Sequence, residues 1–243
     1  MKSYFEPTGR LIMSIGKDLI KDLPAALVEL VKNSYDADST YVKITFKKSN
    51  DELNIIVEDD GHGMSPDMVT GAWMVPSTDY KLKKKESPNG RVYQGRKGIG
   101  RYAVSLLGNK LELITIKDYI KTTAFFDWND FTSDKKLSEI PISITTCSTN
   151  EHSGTRLSIK NEYNNNLADK ITESDVLKIE KELSKLLANI ADFKIVVCYD
   201  NFFPDSTKNI TKVISQLEFD DAWHYRLIGK INSDFSYELA YYN

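Results

Sequence analysis

Alternating apolar and polar residues divide most of this chain into short strands and a few amphipathic helices. Residues 23–37 repeat apolar positions at helical spacing, with Leu27, Leu30 and Val31 on one side. The segments YVKITFK and LNIIVED, separated by the turn SNDE, predict a β-hairpin. Similar patterns predict strands in LELITI, TTAFFDW, PISITTC, TRLSIK and FKIVVCY, and a long helix in SDVLKIEKELSKLLANI. This order predicts an α+β fold, a two-layer sandwich whose mixed, mostly antiparallel sheet carries helices on one face.

Capping and turn residues predict the limits of the shorter elements. The segment SPDMVTGAWM predicts a short helix with Ser65 as its N-cap and Pro66 at its first position. GIGRYAVSLLG predicts a helix that stops at Gly108. From Pro76 to Lys97 no periodicity is present, and a loop of about twenty residues inside a compact domain is typical of a lid or of a disordered segment.

The pattern loosens beyond about Phe202, and the chain ends on the alternating run FSYELAYYN. Because a natural protein seldom stops within a strand, we expect this chain to be the amino-terminal part of a longer protein. We therefore predict one domain at residues 1–200 and the start of a following domain at residues 201–243.

Composition excludes several classes of protein. The 243 residues are 41% hydrophobic and 28% charged, as in ordinary globular proteins, and the net charge of −3 argues against general nucleic-acid binding by this segment alone. No apolar run reaches the length of about 18 residues that a membrane span needs, and MKSYFEPTGR lacks the apolar core of a secretory signal. We expect a cytoplasmic protein. Cys147 and Cys198 lie in apolar runs without metal-site spacing and are interpreted as reduced core residues.

The first candidate cluster lies on the polar side of the helix at residues 23–37. On a helical wheel Glu29, Asn33 and Asp36 share an arc of about 60° opposite the apolar stripe. Such residues usually form a solvated face. Asparagine, however, is a poor choice for a solvated helix interior, and an amide oxygen one turn from a carboxylate suits a hard cation such as Mg²⁺.

The second cluster is EDDGHGMS, which follows an apolar strand and contains the pattern D-x-G-x-G from Asp59 to Gly63. Glycines let the backbone approach a flat ligand, and a carboxylate can accept a hydrogen bond from an exocyclic amine. A tight turn between a strand and a helix explains the same residues equally well.

The third cluster is QGRKGIGRYAVSLLG, in which glycines precede a predicted helix whose first N–H groups and positive dipole end favour phosphate. Lys97 and Arg101 add positive charge there. Two better-known motifs are rejected. Gly90 to Gly95 has Walker A spacing, but Arg96 stands where lysine is required, and GIGRYA does not follow an apolar strand as a dinucleotide-binding turn must.

Together and in this order, the clusters resemble the GHKL ATPases, the family of gyrase, the large cytosolic heat-shock chaperone, histidine kinases and MutL. ELVKNSYDADST resembles the N-box of the MutL and MORC branch, DDGHGM the next box, and GRKGIGRYAVSLLG the lid box. HSGTRLSIK, where Gly154-Thr155 opens a strand, resembles the last adenine-site motif. The resemblance covers roughly residues 10–200, which makes residues 1–200 the ATP-binding domain and residues 201–243 the start of a transducer-like domain.

The resemblance implies a role for each matching residue. Glu29 would be the general base that polarises the attacking water, and Asn33 would ligate Mg²⁺ between the phosphates. Asp36 would support the site or reach the nucleotide through water. Asp59 would accept the adenine amino group, with Thr155 beside it. The other nucleotide-contacting positions fall on Gly61, Gly63, Met64, Thr78, Lys81, Lys97, Gly98, Ile99, Gly100 and Arg101.

The implied function is Mg²⁺-dependent binding and hydrolysis of ATP, which closes a lid and dimerises a longer multidomain protein. That homodimer would bind nucleic acid or a client protein through other domains, and no membrane partner is expected. A nucleotide-gated interaction module with negligible turnover is an alternative, because in gyrase and MutL relatives a following domain supplies the completing lysine or arginine. A histidine-kinase-type domain is disfavoured because no histidine precedes His62. SYFEPTGRL is either an arm exchanged between subunits or a locally packed tail.

Overall fold

The structure, a computed structural model, describes residues 4, 6–49, 52–75, 85–95, 98, 100–161, 171–187, 190, 192–202, 209–216, 226–231 and 237–242. Within this part of the chain an eight-stranded sheet has the order β5-β4-β3-β6-β2-β1-β7-β8. Its strands are β1 Tyr41–Ser49, β2 Glu52–Asp59, β3 Lys110–Lys117, β4 Ile120–Asp127, β5 Ser143–Ser148, β6 Gly154–Asn161, β7 Lys194–Asp200 and β8 Ile210–Ile214. A separate hairpin consists of β9 Arg226–Ile231 and β10 Tyr237–Tyr242. Neighbouring strands of the large sheet are antiparallel except for the parallel pair β1–β7.

The helices cover this sheet and confirm the predicted α+β fold. They are α1 Arg10–Leu19, α2 Leu23–Asp36, α3 Pro66–Met68, α4 Val104–Leu107 and α5 Glu173–Leu187. The helix α3 continues into a π-helical turn, Val69–Trp73, and a 3-10 turn, Gly100–Ala103, precedes α4. At the centre, α2 contacts α4, α5 and β1. Its polar side therefore lies against the segment before α4 that contains Gly98 and Gly100, which we call the glycine-rich loop.

The predicted apolar stripe of α2 forms part of the core. Ala26, Leu27, Leu30 and Val31 are almost completely buried. Burying each larger side chain contributes about 1.5–3 kcal/mol. Asp22 caps the helix, since its carboxylate accepts a hydrogen bond from Ala25 N at 3.0 Å. The stripe and the cap together fix which side of α2 faces the sheet and which side remains polar.

The segment before α2 is a helix that the sequence pattern did not predict. Ile12 of α1 is buried, and α1 packs against α4 and the 3-10 turn before it. Upstream, Pro7 O accepts from Leu137 N at 2.8 Å, and Gly9 N donates to Lys135 O at 3.0 Å. In this single chain Pro7 and Gly9 are thus hydrogen-bonded to the segment at residues 135–137, while Tyr4 is exposed.

Three other sequence interpretations change. The helix predicted from GIGRYAVSLLG is a 3-10 turn followed by one α-helical turn, although it does stop before Gly108. A helix this short supplies little dipole, so the expected contribution of a helix end to phosphate binding is weakened. Cys147 is exposed and is not a core residue, whereas Cys198 is buried. The sheet also continues past residue 200, because β8 pairs with β7.

The helices among the described residues are all too short or too polar to cross a bilayer.

Candidate functional site

A cavity of about 840 Å³ lies between α2, the ends of β2 and β6, and the glycine-rich loop. It brings together most of the predicted site residues that the structure describes: Glu29, Asn33, Asp36, Asp59, Gly63, Met64, Gly98, Gly100, Arg101 and Thr155. Gly61 is buried next to Asp59 and does not itself line the cavity. Thr78, Lys81, Lys97 and Ile99 lie outside the described residues. The cavity has an Asp59 end and a Glu29 end, because α2 advances about 7.5 Å from Glu29 to Ser34, which contacts Asp59.

At the Asp59 end, a buried carboxylate is held by several donors. Ser34 Oγ donates to Asp59 Oδ2 at 2.7 Å, and Gly61 N donates to Oδ1 at 3.0 Å. Burial raises the pKa of Asp59 above its ordinary value, and the hydrogen bonds from Ser34, Gly61 and the backbone of Thr155 oppose that shift. The carboxylate is therefore fixed in direction and still presents an acceptor to the cavity.

The register of the sheet places two threonines beside this carboxylate. Thr155 on β6 pairs with Asp59 on β2 and with Thr115 on β3, so the three residues form a row across the sheet. The hydroxyl oxygens of Thr115 and Thr155 are 3.1 Å apart, and Met64 N donates to Thr115 Oγ1 at 2.9 Å. Through its hydrogen bond with Met64, Thr115 thus connects the loop after β2 to the row formed by Asp59, Thr155 and Thr115 itself.

Glycine is required in that loop. Gly63 has a φ of +63°, and a Cβ built there would lie 1.9 Å from Ile116 O. Any other residue would force the loop away from β3 and out of the cavity wall. Gly63 therefore gives the Asp59 end its close backbone approach.

At the Glu29 end, a carboxylate of α2 faces the glycine-rich loop. Lys32 Nζ lies 2.7 Å from Glu29 Oε1. A Cβ on Gly100 would lie 2.7 Å from Oε2, so glycine at residue 100 lets the loop lie close to this carboxylate in its present position. Lys32 holds Oε1, and Oε2 faces Gly100.

The donors at this end suit a hard cation shared with a ligand. Asn33 lies one turn beyond Glu29 on the cavity wall and offers an amide oxygen. Among the described residues there is no group of three or more His, Cys, Asp or Glu side chains that could hold a metal alone. Mg²⁺ commonly takes only one or two protein ligands and completes its octahedron with water and phosphate oxygens, so these residues fit it.

Asp36 holds a neighbouring loop in place. Its Oδ1 accepts from Gln94 N at 2.7 Å and its Oδ2 from Gly95 N at 3.0 Å. These residues end a turn-like segment, residues 85–95, that we call the finger. Its two sides meet in a bridge between Glu86 and Val92.

The finger is fastened to the end of α2 at further points. Ser87 Oγ donates to Asp38 Oδ1 at 2.5 Å, and Asn89 N donates to Oδ2 at 3.2 Å. The guanidinium of Arg91 lies 4.7 Å above the Tyr35 ring, and its Nη1 donates to Ser39 O at 2.7 Å. The polar residues that end α2 therefore fix the finger that leads into the glycine-rich loop.

Arg101 uses its guanidinium within the protein. Its Nε and Nη2 donate to Gly98 O at 2.9 Å and 2.7 Å, and its Nη1 donates to Ala72 O. This residue ties the glycine-rich loop to the π-helical turn. Its charge remains at the cavity wall, but its geometry is that of a structural clamp.

Sequence reasoning missed several residues that shape the cavity. The helical spacing of Ser34 places it with Leu27, Leu30 and Val31 on the apolar side of α2, yet its hydroxyl contacts Asp59. Thr115 and Lys117 sit in an ordinary strand pattern, and only strand register shows that they lie beside Thr155 or on the cavity wall. The second aspartate of ELVKNSYDAD, Asp38, was the one local sign that the end of α2 holds another segment.

Comparison with known proteins agrees with this geometry. The family described as histidine kinase-, DNA gyrase B- and HSP90-like ATPase matches residues 21–183, which is more than half of the chain. The chain therefore belongs to the GHKL-type ATPases.

Individual relatives are more distant. HgiDII, a putative type II restriction enzyme of Herpetosiphon aurantiacus, is 28% identical over 104 residues, which are 43% of this chain and 16% of that protein. The match thus spans less than a fifth of that relative. The crystal structure of the N-terminal domain of a DNA repair protein aligns with a TM-score of 0.48 at 21% identity, covering 85% of this chain and 54% of that one.

Proposed function

We propose that this chain binds ATP with Mg²⁺ in the cavity and hydrolyses it to ADP and phosphate. The observation that carries this proposal is that Glu29 and Asp59 open into the same cavity, together with Asn33 and Thr155. The adenine lies at the Asp59 end and the phosphates lie at the Glu29 end. Membership of the GHKL-type ATPases supports nucleotide binding by this fold.

At the Asp59 end, the fixed carboxylate accepts a hydrogen bond from the exocyclic amine of adenine. Since Ser34 and Gly61 hold its oxygens, little side-chain freedom is lost when the base binds. Gly63 lets the loop after β2 pack against the backbone of β3, which keeps that part of the cavity wall in place. The charge on Asp59 disfavours guanine, whose carbonyl oxygen would replace the amine.

At the Glu29 end, Asn33 would hold Mg²⁺ together with phosphate oxygens of the nucleotide. The bound ion supplies charge neutralisation for the transferring phosphoryl group. Glu29 accepts a proton of the attacking water, whose oxygen forms a bond to the γ-phosphorus while the bond to the ADP oxygen breaks. The chain's own contribution is to orient this water and exclude others.

A second function, nucleotide-gated interaction with negligible turnover, is favoured by one contact. Lys32 Nζ lies 2.7 Å from Glu29 Oε1, so one oxygen of that carboxylate is already engaged within the protein and does not face an attacking water. In this second function ATP orders the glycine-rich loop and favours a homodimer of a longer protein. The short share of HgiDII that matches supports a longer multidomain protein, and the name of that relative supports nucleic acid as its partner.

The two functions separate experimentally. At saturating Mg-ATP or Mg-ADP, binding should stabilise the chain by about 2–4 kcal/mol, measurable as a thermal shift. Phosphate release that depends on Mg²⁺ and disappears in Glu29→Gln supports hydrolysis. Binding without release supports the gated module. No thermal shift with either nucleotide contradicts both and points to a scaffold that binds no nucleotide.

A further inference from the structure

A lysine ammonium at the Asp59 end of the cavity has no role in the proposed function. Lys117 is the last residue of β3 and lines the cavity. Within the described part of the chain, its Nζ contacts Met68 Sδ at 3.8 Å. A thioether is a weak acceptor, and an ammonium group carries three donors, so this contact satisfies little of its hydrogen-bonding capacity.

Strand geometry places Lys117 close to the row that holds Asp59. Lys117 follows Thr115 by two residues, so both point to the same face of the sheet, about 7 Å apart along β3. Thr115 pairs with Thr155, and Thr155 pairs with Asp59. Lys117 therefore lies two residues beyond this row along β3, next to Met68 and the loop after β2.

The ligand group that this position favours is an acceptor on the base. Once one N–H of the adenine amine donates to Asp59, the base still offers the second N–H and its ring nitrogens, and those nitrogens are its acceptors. A half-buried ammonium group with a weak protein partner gains most from such an acceptor, because its own water is partly removed. The phosphates, in contrast, lie at the Glu29 end.

We infer that Lys117 donates a hydrogen bond to a ring nitrogen of the bound adenine and helps to determine the choice of base. This inference rests on the proposed function, because it requires the base at the Asp59 end. Asp59 then accepts a hydrogen bond from the amine of the base, and Lys117 donates one to a ring nitrogen beside that amine. The pair requires an amine at position 6 of the purine with a ring-nitrogen acceptor beside it, and guanine carries a carbonyl oxygen at that position instead.

The first experiment measures calorimetric affinities for adenosine, ADP and ATP. Lys117→Met removes the ammonium group and keeps an unbranched side chain one atom shorter, and Lys160→Met is the matched control, since Lys160 is exposed on β6 outside the cavity lining. Lys117→Met should weaken all three ligands by about tenfold, and Lys160→Met by less than about twofold. A loss that grows with the number of phosphates would mean that Lys117 acts on phosphate and would overturn the inference.

The second experiment identifies the acceptor with 1-deaza-, 3-deaza- and 7-deazaadenosine, each lacking one ring nitrogen. The wild-type chain should lose affinity for one analogue, and Lys117→Met should bind that analogue as well as it binds adenosine. If both chains rank adenosine and the three analogues alike, Lys117 contacts no ring nitrogen. Lys117→Gln, which keeps a donor, should recover part of the affinity and provides a second variant if Lys117→Met unfolds.

These outcomes distinguish a failure of the inference about Lys117 from a failure of the proposed function on which it rests. A wild-type chain that binds neither ADP nor ATP contradicts the proposed function. A wild-type chain that binds both, beside a Lys117→Met variant of equal affinity, contradicts only the role of Lys117.

Discussion

The two ends of the cavity are built from different kinds of structure. At the Asp59 end, the polar groups belong to neighbouring strands of one sheet, and Thr115 and Thr155 lie beside the carboxylate through the register. At the Glu29 end, Glu29 and Asn33 belong to one helix and face a glycine-rich loop. No strand pairing fixes the distance between that helix and that loop.

The site therefore combines a rigid half at the Asp59 end with an adjustable half at the Glu29 end. Sheet register determines the Asp59 end to within the geometry of backbone hydrogen bonds, as recognition of a flat base requires. The Glu29 end depends on side-chain contacts such as those of Asp36 with the finger. We therefore expect substitutions at the Asp59 end to change affinity and substitutions at the Glu29 end to change turnover.

The largest expected effect is that of Glu29→Gln. The amide keeps the shape of the side chain but cannot take a proton, so turnover should fall by about 100-fold or more. Affinity for Mg-ATP should stay within about twofold, because Glu29 does not contact the base. Phosphate release and calorimetry measure the two quantities, and equal turnover by variant and parent would remove Glu29 from the mechanism.

Asp59→Asn should produce the opposite pattern. It replaces one oxygen acceptor by a donor, so affinity for ATP and adenosine should fall by about 10- to 100-fold. Asp60→Asn is the adjacent control: its carboxylate accepts from Thr40 N at 2.8 Å and Tyr41 N at 3.0 Å and does not line the cavity. If both variants bind adenosine equally well, the base does not lie at the Asp59 end.

Acidification should also act on this end. Because burial raises the pKa of Asp59 above 3.8, the folded protein takes up a proton at a higher pH than the unfolded chain does. Between those two values, Asp59 contributes stability to the ligand-free fold as pH falls, while affinity for adenosine drops up to tenfold per pH unit. Adenosine avoids the titration of phosphates. If Asp59→Asn and the parent chain show the same pH profile of adenosine affinity, ionised Asp59 is not the acceptor.

Sequence patterns predicted strands β1 to β7 and the residues of α2 because both depend on local periodicity, whereas β8 lies where that periodicity loosens. Glu29, Asn33 and Asp36 were placed together because a helix fixes their directions over a few residues. Thr115 could not be predicted in the same way, since its position beside Thr155 depends on the pairing of strands about forty residues apart. The α1 helix was missed although its residues are amphipathic, because Gly9 caps it without a side-chain hydrogen bond and Gly16 lies within it, so the local helix signals are weak.

Asp36→Asn tests the adjustable half directly. An amide has one acceptor oxygen where the carboxylate has two, so the hydrogen bond from Gln94 N or that from Gly95 N is lost. Turnover should fall by about five- to tenfold, and adenosine affinity should not change. Asp38→Asn, which alters a finger contact outside the cavity lining, should affect turnover less. An equal loss of adenosine affinity in Asp36→Asn would show that the two halves are not independent.

The smallest expected effect is that of Ser34→Ala, which tests the joint between the halves. The Ser34 hydroxyl links α2 to Asp59 at 2.7 Å, so its removal leaves that carboxylate with one donor fewer. Adenosine affinity should fall by about three- to fivefold, and the pKa of Asp59 should rise further, because this hydrogen bond stabilises the charged form.

Ser39→Ala is the control for Ser34→Ala, since Ser39 Oγ donates to Ser34 O at 2.7 Å outside the cavity lining. Both variants should lower the unfolding temperature by a few degrees. Only Ser34→Ala should move the acid limb of adenosine binding to higher pH, and identical pH profiles for the two variants would assign Ser34 to stability alone.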